Sequence, residues 1–372
     1  MNEKVKTKMN SVRKRLEIAE NFYPHVNDLE KLVKKLYKIP RSILGDGFRK
    51  SLKLLQEELE VPFVWHDVKS GTQVLDWIVP KEWVIKEAYI LNPRGKKIAD
   101  FNKHNLHVVN YSCAVNKTVS LQELKKHLYT VPKLPDEIPY VTSYYNETWG
   151  FCISQNEYDN LMEGEYKVFI DSKHIDGSLV YGEIVLPGET KKEILLTSYL
   201  CHPQMANHEL GGPIALCHLY KLLKNTGPHK YTYRFLICPE NIGSAAFLQN
   251  TAEIVDKVIE AGFILNCLGY GEEWTLKKSR LGSSFSDLLA KNTLASSKLP
   301  LTICDFFPDG SDERQFCSPG YNWPISLVMR KMYGTFQQYH TSADNLDFIN
   351  YKTLYLLKWF NLIQKFKYKL ND

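Results

Sequence analysis

Four short stretches of this chain carry the residue types that hydrolytic chemistry needs. Cys201-His-Pro-Gln-Met-Ala-Asn-His-Glu-Leu-Gly-Gly212 holds two histidines, His202 and His208, with Glu209 beside the second. Pro239-Glu-Asn-Ile-Gly243 presents Glu240, Pro308-Asp-Gly-Ser-Asp-Glu-Arg-Gln315 presents Asp312, and Gln338-Tyr-His-Thr-Ser-Ala-Asp-Asn345 presents His340 and Asp344. A metal-assisted hydrolase needs nitrogen and oxygen ligands, an open position for water and a carboxylate base. Each residue alone also has an ordinary explanation. Glu240 would suit a helix start at Ile242-Gly-Ser-Ala-Ala, where a carboxylate is favourable in any case. Asp309-Gly-Ser-Asp312 reads equally as a turn and cap, and Asp344 as a cap for the segment after His340. The remaining histidines are taken as hydrogen-bonded core or surface residues.

The elements that would carry these stretches favour the site. Each follows an apolar run: Ile194–Leu200, Tyr233–Cys238, Leu301–Phe306 and Ile325–Met329, with further runs at Tyr166–Ile170 and Phe263–Leu268. Helical patterns separate them, most clearly at Ile214–Leu223, Phe285–Leu294 and Tyr351–Phe366. Continuous apolar strands between helices predict an α/β sheet covered on both faces. In such sheets ligands bind beyond the carboxyl ends of the strands, where these four stretches fall. Earlier in the chain, Asp28–Ile39 and Phe48–Glu60 carry the helical period around the linker Pro40-Arg-Ser-Ile-Leu-Gly-Asp-Gly47. Short alternating β-branched runs from Val61 to about Val115 predict an antiparallel module. The expected division is a basic tail without fixed structure over 1–26, an α/β domain of 27–60 and 116–372, and an inserted β-rich module over 61–115.

Composition limits the function classes. Of 372 residues 44% are hydrophobic and 24% charged, which fits a folded soluble protein and excludes disorder or collagen-like repeats. Lys plus Arg number 47 against 42 Asp plus Glu, and the surplus of +5 is too small to argue for nucleic acid. There is no 18-residue apolar run and no signal-like hydrophobic start. Eight cysteines, none in a C-x-x-C pair, are expected to be reduced thiols, so the protein is expected in the cytoplasm and away from membranes.

The motifs themselves resemble a known family. CHPQMAN with the following LGG, then RFLICPENIGS, GSDERQFCSPGYNWP and YHTSADN, are similar to bacterial aminopeptidase-like proteins of the DUF4910 type. These are related to the zinc-dependent M28 peptidases. RSILGDGFRKSL, DWIVPKEW, NLHVVNYS, HLYTVP and PYVTSYYNETWGFC resemble the same family with its nested DUF2172 β module, and the likeness runs from about residue 27 to 366. The resemblance implies a three-layer α/β/α, phosphorylase/hydrolase-like fold with zinc at the strand ends. It implies His202 and His340 as metal ligands, Glu240 as the general base and Asp312 as an aspartate that orients the site. Longer relatives carry a C-terminal winged-helix domain, which a chain ending at Asp372 is expected to lack.

The departures shape the chemistry expected. The family pattern has aspartate, the central ligand, where this chain has His208, and M28 enzymes have ligating carboxylates where Asn241 and Asn266 stand. Imidazole does not bridge two ions, so a co-catalytic pair is not expected. His202, His208 and His340 remain as a set for one zinc, with Glu209 a fourth ligand if it turns inward. The first reading is a zinc-dependent amide-bond hydrolase acting on a peptide or small amide, its cleft walled by the aromatic connector Tyr140–Phe151. The rival is a peptidase-fold binding protein that has lost its metal. A third is a hydrolase acting on a sugar or nucleotide-sugar in surface-polysaccharide synthesis. Arg314 and Arg330 are candidates for holding a carboxylate or phosphate group. Exposed edges on a β module make a homo-oligomer a further expectation.

Overall fold

The computed structural model describes residues 26–351 together with 353 and 354. The tail expected over 1–26 and the helix expected over 351–366 lie, save for their inner ends, outside that range. The strands considered are β1 (Val64–Lys69), β2 (Glu82–Leu91), β3 (Lys97–Ile98), β4 (Val115–Ser120), β5 (Glu165–Ile175) and β6 (Ser178–Leu186). They continue with β7 (Glu193–Tyr199), β8 (Thr232–Cys238), β9 (Ile259–Leu265), β10 (Trp274–Lys277), β11 (Leu301–Cys304) and β12 (Ile325–Met329). The main helices are α1 (Val26–Tyr37), α2 (Asp46–Glu58), α3 (Asn207–Thr226), α4 (Ile242–Val255) and α5 (Phe285–Ala295).

Strand side chains alternate between two faces, and here both faces are apolar. Ile194, Leu196, Phe235, Ile237, Phe263 and Leu265 point to a core shared with α1, α2, α3 and α5. Leu195, Leu236, Ile264, Ile325 and Leu327 point the other way, onto α4 and the smaller sheet. Burying each large side chain stabilises the fold by about 1.5–3 kcal/mol. The eight-stranded sheet has the order β1-β6-β8-β7-β9-β12-β10-β11, with β8, β7, β9 and β12 mutually parallel. Their carboxyl ends therefore share one edge. The chain after them carries Glu240, His202, Asn266 and His340 respectively, so the topology gathers residues up to 138 positions apart.

The smaller four-stranded sheet runs β3-β2-β5-β4. Its membership crosses the 61–115 boundary read from sequence. β5 comes from beyond that segment, while β1, inside it, pairs with β6 on the edge of the large sheet. β5 and β6 are consecutive strands divided between the two sheets, so the chain passes from one layer to the other at residues 175–178. Among the described residues no helix is long and apolar enough to cross a membrane.

Helix α3 starts at Asn207, seven residues before the expected Ile214, and takes in Gly211-Gly212-Pro213. Those residues signal a break, yet Gly212 is there for closeness. A Cβ on it would collide with the carbonyl oxygen of Leu265 on β9 and with Ser198 Oγ on β7. Gly212→Ala is expected to destabilise the protein by about 1–3 kcal/mol, as overpacking does, with urea unfolding as the measurement. The same shift would displace the first turn of α3, which carries His208 and Glu209.

Candidate metal centre

β7 ends at Tyr199, and Leu200 and Cys201 continue the buried run to His202, which is 4% exposed. His208 lies in the first turn of α3. That turn has free backbone N–H groups, as every helix start does, and Asp344 receives three of them. Its Oδ1 accepts from Ala206 at 3.2 Å and Asn207 at 2.7 Å, and its Oδ2 from His208 at 2.9 Å. Asp344 thus caps α3, not the segment after His340, and staples the His340 loop to the His208 helix. Burial pushes the Asp344 carboxyl up to about 7, and the three amide donors pull it back.

The three imidazoles meet. One ring nitrogen from each of His202, His208 and His340 lies within 4.8 Å of the others. The remaining nitrogens define which atoms are free. His202 Nδ1 faces Glu209 Oε2 at 2.9 Å, and because a carboxylate only accepts, Nδ1 is the donor, which directs Nε2 toward the other rings as the nitrogen that can ligate. Tyr199 Oη lies 2.8 Å from His208 Nε2 and 3.2 Å from the His208 carbonyl; in the tautomer where the hydroxyl donates to the carbonyl, Nε2–H donates to the phenol and Nδ1 is left open. His208 Nδ1 and His340 Nε2 are buried without a hydrogen-bond partner. Burial, reinforced by the neighbouring His202, holds both rings well below the usual imidazole range, hence neutral. Three imidazoles meeting in this way, two of them bonded from behind by Glu209 and Tyr199, suit a tetrahedral zinc ion with one open position.

Glu240 completes the cluster. Its Oε2 lies 3.6 Å from His202 Nε2, and the side chain is 20% exposed where that of His202 is 5%. Burial and the adjacent Asp312 push its carboxyl well above the usual range. Asp312 does not join the imidazoles. Its Oδ1 accepts from Asn241 N and Ser244 Oγ, both at 2.7 Å, and so fixes the turn that carries Glu240. Burial raises Asp312 to about 7. Glu209 is not free to be a fourth ligand, since its two oxygens face His202 and Arg41. Asn266 binds Ser311 through its amide nitrogen at 3.2 Å.

The strand-end loops share a backbone habit. Gln204, Asn241, Cys267 and His340 follow β7, β8, β9 and β12 and all take the left-handed conformation, with φ of 46°, 63°, 46° and 55°. Side chains disfavour that region, and residues held in it cluster at functional sites.

From the aromatic connector only part reaches the centre. Tyr140 sets its ring 5.2 Å from both His202 and His340, donates its backbone N–H to the His340 carbonyl, and shares a 3.0 Å hydroxyl contact with Tyr144. Trp149 stacks on His127 instead, and Phe151 lies in the core. Arg330 is buried over Trp274, its charge centre 3.8 Å from the ring centroid. Two residues of the centre have no sequence signal: Tyr199 reads as one more apolar strand residue, and Arg41 as a linker charge.

Residues 30–370 match the family described as domain of unknown function DUF4910. The chain belongs to that family. A Clostridium acetobutylicum protein, provisionally named for polysaccharide biosynthesis with an aminopeptidase-like domain, is 45% identical over 323 residues, covering 87% of this DUF4910 chain and 73% of that protein. A crystal structure from the same organism, provisionally called a peptidase, superposes with a TM-score of 0.89 at 42% identity, over 96% of this chain and 83% of that one. BSAP, a zinc aminopeptidase from Bacillus subtilis, gives 0.66 at 12% identity over 93% and 95%. The DUF4910 chain therefore has the aminopeptidase-like α/β fold read from its sequence.

Proposed function

We propose that the protein is a zinc-dependent amide-bond hydrolase with one metal ion held by His202, His208 and His340. The observation that carries this reading is the meeting of three imidazoles, one ring nitrogen of each within 4.8 Å of the others, with His208 Nδ1 and His340 Nε2 buried and unpartnered. Zinc, when bound, would supply Lewis acidity toward the scissile carbonyl and a water whose pKa is lowered to about 7. Glu240 Oε2 is the group placed to hold the proton taken from water and to return it to the leaving amine. Asp312 keeps that carboxylate on its turn, and Tyr140 walls one side of the histidines. The carboxylates that would hold a second ion in M28 enzymes are the neutral Asn241 and Asn266 here, which supports a single metal.

For the amide itself, the fold supports a peptide bond. The provisional name of the Clostridium acetobutylicum relative adds an acylated amino sugar, so both classes belong in a substrate screen. The test is elemental analysis of protein purified without a histidine tag. About one zinc per chain is expected, falling to background in His202→Ala and His340→Ala. A wild-type protein that stays metal-free after zinc is supplied at neutral pH would sink this reading in favour of a binding protein.

A further inference from the structure

The linker between α1 and α2 contributes a side chain to the metal centre that hydrolytic chemistry alone does not call for. Arg41 is 1% exposed, although a guanidinium is among the costliest groups to bury. Its Nη1 donates to the Leu36 carbonyl at 2.6 Å and to Ser51 Oγ at 3.3 Å, which ties it to the last turn of α1 and to α2. Its Nε donates to the His202 carbonyl at 2.9 Å and lies 3.4 Å from Glu209 Oε1. The other oxygen of Glu209 receives the Nδ1–H of His202. One guanidinium therefore holds His202 at two points, its backbone directly and its ring through Glu209. The linker is itself pinned. Asn110 of the β-rich region donates to the Arg41 carbonyl, and a side chain at Gly47 would strike the backbone of Pro40.

We infer that Arg41 is a positioning residue of the metal centre, acting through Glu209 to keep His202 in the ring orientation and tautomer that offers Nε2 to the ion. The inference rests on the zinc reading above for its affinity readout but not for its structural one. A lone carboxylate at Glu209, fully buried, would have no fixed place. The guanidinium gives it charge compensation and a direction, and the buried relay Arg41–Glu209–His202 has no exposed member. Arg41 sits 161 residues from His202, so the N-terminal helical pair becomes part of the site and not a cover over it. A lysine at 41 would bring the charge but not the planar group that sets Nε on the His202 carbonyl beside Glu209 while Nη1 holds the Leu36 carbonyl.

The experiment compares wild type with Arg41→Lys, Arg41→Met, Glu209→Gln and the double variant Arg41→Met/Glu209→Gln. Two quantities are read: the zinc dissociation constant by chelator competition well below the melting temperature, and the His202 tautomer by nitrogen-15 NMR in zinc-free protein. Zinc binding is expected to weaken about 10–100-fold in Arg41→Met, the usual cost of removing a group that orients a ligand, and by less in Arg41→Lys. The double variant is expected to be no weaker than Glu209→Gln, since both residues act along one path. His202 is expected to carry its proton on Nδ1 in wild type and to be mixed in Arg41→Met.

A folded variant with lowered melting temperature but wild-type zinc affinity and tautomer would make Arg41 a packing residue only and overturn the inference. If Arg41→Met fails to fold, Arg41→Lys decides on the same two readouts. If wild type binds no zinc, the hydrolase reading fails by itself, and the tautomer alone judges Arg41.

Discussion

Glu240→Gln is expected to leave zinc content at the wild-type level and to lower kcat toward any amide the protein cleaves by about 10²- to 10⁴-fold, the usual worth of a positioned general base. Glutamine keeps the size and the hydrogen-bonding oxygen, so the turn held by Asp312 has no reason to move. What it loses is the ability to accept and return a proton at the atom 3.6 Å from His202 Nε2. The surroundings suit a proton carrier, because Glu240 keeps some exposure where His202 and His208 have almost none, and burial with Asp312 beside it raises its proton affinity. Were Glu240 no more than a carboxylate near the start of α4, the substitution would shift stability by under about 1 kcal/mol and leave kcat alone. Single-turnover kinetics alongside metal analysis separates the two. Loss of zinc with loss of activity would instead make Glu240 a ligand.

Removing Lys277 should have the largest effect on stability. Its side chain is fully buried at the end of β10, with Nζ bonded to Glu313 Oε1 at 2.6 Å, the Asp309 carbonyl at 2.8 Å and the Tyr333 hydroxyl at 2.8 Å. It also lies 3.5 Å from the centroid of Phe307. Lys277→Met keeps the apolar stem and strands the Glu313 carboxylate, which is 1% exposed, without a cation. Breaking a buried pair in this way costs about 3–5 kcal/mol, readable as a lower urea midpoint at unchanged slope. Lys277→Met/Glu313→Gln should recover much of that, because the stranded charge is gone. The effect is not confined to stability. The loop anchored by this ion pair runs from Asp309 to Glu313 and includes Asp312, so Lys277→Met should also loosen the Glu240 turn and lower kcat more than metal affinity. An equal loss in both variants would mean that the ion pair matters for something other than charge.

The parallel strands and the residues beyond them are legible because buried strands are long apolar runs, and such runs in an α/β sheet must deliver their ends to one edge. That regularity brings His202, His208, Glu240 and His340 together from separate stretches of sequence. It fails where a local signal is overruled from a distance. Gly211-Gly212-Pro213 reads as a break, but α3 runs through it because Asp344 caps its first turn from 136 residues away and Gly212 is needed for contact with β7 and β9. The apolar run within β5 resembles those of the large sheet and predicts membership there. Its pairing with β2 instead joins residues such as Ala88 and Ile170, too far apart for any local pattern to reveal. Arg41 is a similar case: a charged residue between two helices ordinarily faces solvent, and only the assembled tertiary structure turns it inward.

The left-handed residues at the four strand ends carry a consequence for how this sequence can change. Each costs of order 1 kcal/mol or more that a glycine there would not, so the protein is less stable than its fold permits at the places nearest its chemistry. Glycine would relieve that strain at Gln204 and Cys267, but at the loss of the bond Gln204 Oε1 accepts from Asn105 N–H and of the buried Cys267 side chain. At His340 the same exchange meets a side chain that the proposed zinc site requires. On that proposal, a lineage that kept the fold but abandoned the reaction would be free to relax that position, and the identity of the residue at 340 would then record whether the proposed metal centre was still in use.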